Sequence, residues 1–212
     1  MKTAIALKTL LGAASLALPL MAFAESSVVT GPVANPLSTT AHVDFAIAIP
    51  KVLYLRVGTG TAYNTNVLAP ANGTIDVVTF TPTAANVGTG AINGTGGDAG
   101  PGVETAAIVS NTAGVITFSA AAAAAGLSDG AGDFIPFTQI TTTPAAGSFA
   151  TLLNPPALIN GTTTTTITPA GKVFQADAKW TYTYANNTVP PAGTYGNTVA
   201  NNSRVTYTAS VP

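Results

Sequence analysis

The clearest alternation of apolar and polar positions lies at residues 172–185. Phe174, Ala176, Ala178, Trp180, Tyr182 and Tyr184 share one parity, and Gln175, Asp177, Lys179, Thr181 and Thr183 share the other. A period of two places one set against a core and the other toward water, which predicts a strand. Residues 204–211 repeat the pattern. Val205, Tyr207, Ala209 and Val211 point inward, while Arg204, Thr206, Thr208 and Ser210 point outward. Residues 41–57 are the third such run. Val43, Phe45, Ile47 and Ile49 alternate with polar or small residues, Pro50 interrupts, and Leu53, Leu55 and Val57 resume the same parity. Proline within a strand implies an edge or a bend, so the run predicts one long strand bent at Pro50-Lys51.

Weaker signals fill the interval. Asn72-Gly73 predicts a tight turn before a strand at 74–80 with Ile75, Val77 and Thr79 on one side. Residues 86–102 hold seven glycines and predict a long mobile loop. Residues 103–110 and 114–119 predict a hairpin. Residues 120–125, all alanine, predict one helical turn ended by Gly126. A strand is predicted at 134–142, with Phe134, Pro136, Thr138 and Ile140 on one parity, followed by a loop at 144–156. The threonine run at 162–167 predicts a solvated edge strand. Many strands and almost no helix give an all-β fold. Trp180 at the middle of the best strand, a Gly193-Thr194-Tyr195 corner and the final strand predict an immunoglobulin-like β-sandwich. No strand follows 205–211, so the sandwich is expected to have an incomplete sheet edge that must be covered or used.

Composition narrows the class. Residues 1–24 read as a secretory signal peptide, with Lys2 and Lys8 before an apolar stretch and Ala22-Phe23-Ala24 as the cleavage site. Residues 25–40 read as an extended tail and 41–212 as a single sandwich domain. No second apolar span is present, so no membrane span is expected in the mature chain. Without Lys2 and Lys8 the mature chain has a net charge of −3. It has no basic stripe for phosphates, which excludes nucleic acid as a partner. Only 7% of the residues are charged, against about 25% in ordinary domains. A surface hydrated by Thr, Asn and Ser suits a protein packed among copies of itself. The absence of cysteine leaves the core alone to hold the fold and removes thiol chemistry and thiolate metal sites.

The residues of catalysis are sparse. His42, the single histidine, lies beside Asp44 on the polar side of a strand, and no Gly-x-Ser-x-Gly elbow supplies a nucleophile. The acids Glu25, Asp44, Asp76, Asp98, Glu104, Asp129, Asp133 and Asp177 are scattered, and only Asp129 and Asp133 form a visible pair. That pair, in Asp-Gly-Ala-Gly-Asp, is a weak calcium candidate and a better Gly-rich turn. No catalytic residue, cofactor or enzymatic activity is expected.

An export signal, a cysteine-free sandwich rich in Thr, Gly and Ala, and a chain finishing on Val205-Thr206-Tyr207-Thr208 together resemble the pilin-like fimbrial subunits of Gram-negative bacteria, including those of the chaperone–usher route. The resemblance implies a structural subunit that passes through the periplasm, with a chaperone there as a partner, to the cell surface or medium. It also implies polymerisation into a fibre of like copies by strand addition. An extended segment of one copy would pair along the open edge of the next. The inserting segment would be the N-terminal tail or 41–49 with Val43, Phe45, Ile47 and Ile49 as knobs. The receiving edge would be Val205, Tyr207, Ala209 and Val211. The competing expectation is a monomeric secreted module that binds carbohydrate or matrix.

Overall fold

The computed structural model describes residues 26–63 and 72–212. The expected signal peptide at 1–24 and the first residue of the expected tail lie outside these residues. The chain divides into two units, Met1–Ile49 and Pro50–Pro212.

In the first unit, the described residues 26–49 form no helix or strand and make a turn at 33–34, where the Asn35 N–H donates to the Pro32 carbonyl at 3.0 Å. None of them belongs to a strand ladder. The expected strand over 41–57 is therefore shorter than its pattern. Pro50 cannot donate to a ladder, and pairing begins only at Leu53.

The second unit is a β-sandwich. Its strands are β1 (Leu53–Val57), β2 (Ile92–Asn93), β3 (Val103–Ser110), β4 (Ile116–Ala121), β5 (Leu127–Ser128), β6 (Phe134–Ile135), β7 (Ile140–Ala146), β8 (Thr151–Leu152), β9 (Thr162–Ile167), β10 (Phe174–Tyr184) and β11 (Thr206–Ser210). The larger sheet runs β1-β3-β10, with β7 and β8 on the far side of β10 and β2 continuing beyond β3. All its pairs are antiparallel except β8 with β10. The smaller sheet is β11-β4-β9, also antiparallel, and β5-β6 form a short separate pair.

β10 is central because its pattern can be buried on one face throughout. Its even positions from Phe174 to Tyr184 are all buried. The core lies between the sheets, where Trp180, Phe118 and Tyr207 stack with ring centroids 5.4–6.2 Å apart. Burial of an indole demands a partner for its N–H. Trp180 Nε1 donates to the Leu153 carbonyl at 2.8 Å. The outer side of β10 is also anchored, because both Asp177 carboxylate oxygens accept backbone N–H groups, from Ser148 and Phe149, at 2.7 and 2.8 Å.

Several local expectations differ from the structure. The segments 103–110 and 114–119 do not form a hairpin, since β3 and β4 belong to opposite sheets. Ala120 and Ala121 finish β4 instead of starting a helical turn, because pairing with β9 and β11 outweighs the helix propensity of alanine. The strand predicted at 134–142 breaks into β6, a 3-10 turn at Phe137–Gln139 and the start of β7. That turn shifts the phase, so Phe137 is 1% exposed and Phe134 47%. Five of the thirteen residues of the expected 144–156 loop are strand, in β7 and β8.

The glycine-rich 86–102 segment is built into the fold. It contains β2, and Gly102, at φ +69°, comes so close to the chain that an added Cβ would lie 2.6 Å from the Gly94 carbonyl oxygen. The 74–80 segment forms one bridge, Thr79 with Thr95, and its parity is the reverse of that expected. Val78 and Phe80 pack inward while Ile75 and Val77 are exposed, because Phe80 meets Tyr184 with centroids 6.1 Å apart.

The threonine strand β9 is an edge, as its pattern requires, paired to β4 alone. The outward face of the smaller sheet carries three cross-strand rows: Ser210-Thr117-Thr166, Thr208-Ser119-Thr164 and Thr206-Ala121-Thr162. No helix among the described residues is long and apolar enough to cross a membrane.

Candidate assembly cleft

The site follows from which sheet borders are left without partners. β1 closes one side of the larger sheet through its ladder to β3, and β11 closes one side of the smaller sheet through its ladder to β4. Neither has a second strand partner among the described residues. The two borders approach one another, and a cleft of about 1890 Å³ lies along them. Its walls are β1 from Leu53 to Val57 and the Arg204–Tyr207 end of the last strand. Core side chains, including Phe137, Leu158 and Tyr182, reach its floor. An unpaired border beside an exposed piece of core is where added backbone would find both hydrogen bonds and apolar pockets.

The sequence-derived receiving residues lie where their parity put them. Val205, Tyr207, Ala209 and Val211 all pack, partly buried, against the core. Val205 and Tyr207 line the cleft. The Tyr207 hydroxyl meets that of Tyr182 at 3.1 Å. Desolvation raises both phenols above their ordinary value, so both stay neutral and hydrogen-bonding. The sequence-derived inserting residues are bare. Val43, Phe45, Ile47 and Ile49 are 72%, 89%, 87% and 78% exposed.

At the start of the second unit the chain is clipped by Asn111. Its amide donates to the Pro50 carbonyl and accepts from the Val52 N–H, both at 2.7 Å, and its own N–H donates to the Val52 carbonyl at 3.3 Å.

Sequence reasoning missed a second feature of the cleft wall. Asp76, Asp98 and Glu104, read as scattered, lie within 4.8 Å of one another. Gly58 makes this possible. It sits at φ +84°, just after β1, and an added Cβ would lie 2.6 Å from Asp76 Oδ2 and 3.0 Å from Glu104 Oε2. Asp76 also accepts from the Thr59 N–H. Asp98 is neutralised locally, with Arg56 Nη2 at 2.6 Å and the Thr105 N–H at 2.6 Å. Burial works against its charge, but the Thr105 hydrogen bonds, Arg56 and Lys179 together hold its carboxyl below the ordinary value. Glu104 is the opposite case. Burial first, then the charge of Asp76 and a hydrogen bond with it, push its carboxyl up to about 8. At neutral pH it therefore carries a proton next to a neighbouring carboxylate. The three acids are the one group among the described residues close enough to share a cation. Their charge is already met by Arg56, by backbone N–H groups and by that proton. No local sequence signal joins them, because three separate segments supply them.

Asp129 and Asp133 form a turn. Asp129 Oδ1 accepts the N–H groups of Ala131, Gly132 and Asp133 at 2.8, 3.1 and 3.0 Å. These bonds hold the Asp129 carboxyl below its ordinary value. His42 and Asp44 lie in the extended first unit.

No family model, no curated protein and no solved structure matches this chain.

Proposed function

We propose that this chain is a non-enzymatic structural subunit of an extracellular fibre or surface assembly, exported through the periplasm, in which neighbouring copies are joined by strand addition. Residues 41–49 of one copy lie in the cleft beside β11 of the next and extend its sheet. The observation that carries this reading is the state of 41–49. It joins no ladder among the described residues and leaves four large apolar side chains on one parity in water. Such a segment is costly alone and favourable when covered. Burying four side chains of this size is worth roughly 1.5–3 kcal/mol each. The cleft between two unpaired borders supports the complementary half of the contact. Head-to-tail contacts between unlike surfaces do not close, so they propagate into a fibre. A periplasmic chaperone that shields the cleft during transit belongs to the same reading.

The test is electron microscopy and an unboiled denaturing gel of the mature protein, beside the Ile47→Asp variant. Fibres and a heat-sensitive ladder are expected for the natural chain and monomer for the variant, because a buried aspartate without a partner opposes insertion. Polymer that survives Ile47→Asp removes 41–49 from the inserting role. A natural chain that stays monomeric at every concentration overturns the assembly reading and favours a lone carbohydrate- or matrix-binding module.

A further inference from the structure

Residues 72–82 run extended along the cleft and line it from Thr74 to Pro82. They are weakly held by backbone: Thr79 and Thr95 make their single bridge. The rest of the attachment at their leading end is made by side chains to the turn after β1. Asn72 donates to the Thr59 carbonyl at 3.4 Å, Asp76 accepts from the Thr59 N–H, and the Asp76 and Glu104 carboxyl oxygens lie within 4.8 Å of one another beside the space that Gly58 leaves. Two carboxyl groups so close cannot both ionise without repulsion, whereas one proton between them makes a hydrogen bond.

We infer that a proton shared by the adjacent Glu104 and Asp76 carboxyls fastens the leading end of the 72–82 segment as a strap across the β1 side of the cleft, and that loss of this proton loosens the strap and widens access to the cleft. The surroundings fit a single titrating proton. Glu104 is 5% exposed. Asp98, from the glycine-rich segment, adds negative charge on one side but is paired with Arg56 of β1. Lys179 of β10 is engaged with Thr105 Oγ1 at 2.5 Å. Tyr182 and Tyr207, which also feel the Glu104 charge, stay neutral in this range. Removing the proton therefore leaves Asp76 and Glu104 as adjacent anions with no cation committed to either. The regulatory consequence rests on the cleft being the acceptor site; the strap itself does not.

Hydrogen exchange of the mature chain at pH 6 and pH 9, corrected for intrinsic rates, tests the strap. Protection of the 74–79 amides is expected to fall about tenfold relative to β10 in the natural chain, and to stay constant in Glu104→Gln, whose amide donates to Asp76 at both values. Asp76→Asn, in which the neighbouring charge is gone, is expected to be equally flat and serves if Glu104→Gln does not fold. Equal protection at both pH values in the natural chain, or the same fall in the folded variants, overturns the inference. A synthetic peptide of residues 41–49 added in the same series separates the two readings. Faster uptake at pH 9 is expected for the natural chain alone. Strap loosening without uptake at either pH sinks the acceptor reading and leaves the strap standing.

Discussion

The two phenylalanines of the 134–140 region separate the observed packing from the packing that simple alternation demands. Alternation directs Phe134 inward; the 3-10 turn at Phe137–Gln139 directs Phe137 inward instead. Phe137 is 1% exposed and belongs to the core, so truncation to alanine deletes a ring the surroundings cannot replace. Loss of that transfer free energy plus the cavity left behind is expected to cost about 3–5 kcal/mol. Phe134 is 47% exposed, and the same truncation removes an already half-wet ring at about 1 kcal/mol or less. For a domain of this size 1 kcal/mol moves Tm by about 2–4 °C. Phe137→Ala should therefore lower Tm by roughly 6–20 °C and Phe134→Ala by no more than about 4 °C. Urea unfolding followed by fluorescence reads both, because Trp180 is the single tryptophan and lies fully buried in the same core. Equal losses, or a larger loss for Phe134→Ala, would refute the phase shift and restore the uninterrupted strand.

Other consequences are equally direct. Glu104 titrates near 8 in the fold and near 4.5 when unfolded, so the folded chain holds the extra proton between those values. Its contribution to stability is complete below about pH 4.5, declines as pH rises and is lost above about 8. The full shift corresponds to an upper limit of roughly 5 kcal/mol. Glu104→Gln should remove this alkaline decline in urea titrations while leaving the acid limb, where Asp98, held low, loses its contribution as pH falls. Asp177→Ala removes the acceptors of the Ser148 and Phe149 N–H groups and should cost about 1–3 kcal/mol, with those two amides exchanging first. Asn111→Ala removes both side-chain bonds at Pro50 and Val52, and about 1–2 kcal/mol is expected, with faster proteolysis near Lys51.

The legible parts of this fold were the long alternations. β10 and β11 stand where period two placed them, since alternate residues turn inward and a one-residue slip would turn that face outward, and β9 stands where its run of β-branched threonines placed an edge strand. What could not be read was pairing. β3 and β4 are consecutive and look like a hairpin, yet a chain turning the corner of a sandwich has the same local sequence as one turning within a sheet. Residues 41–49 were misassigned for a related reason: the alternation is that of a strand, but none of these residues joins a ladder among the described residues. The inward packing of Val205, Tyr207, Ala209 and Val211 was legible because apolar parity marks it. The Asp76–Asp98–Glu104 group was not, because it depends on Gly58 lacking a side chain where three segments converge.

The outer face of the smaller sheet offers nine side chains without a single ionisable group. Whatever approaches that side meets hydroxyls and methyls at strand-repeat spacing, with no electric field to steer or repel it. Changes of ionic strength have nothing to act on there. Solutes that compete for the hydration of hydroxyl groups do, and so this face responds to the water structure of its medium where ordinary protein surfaces respond to its salt.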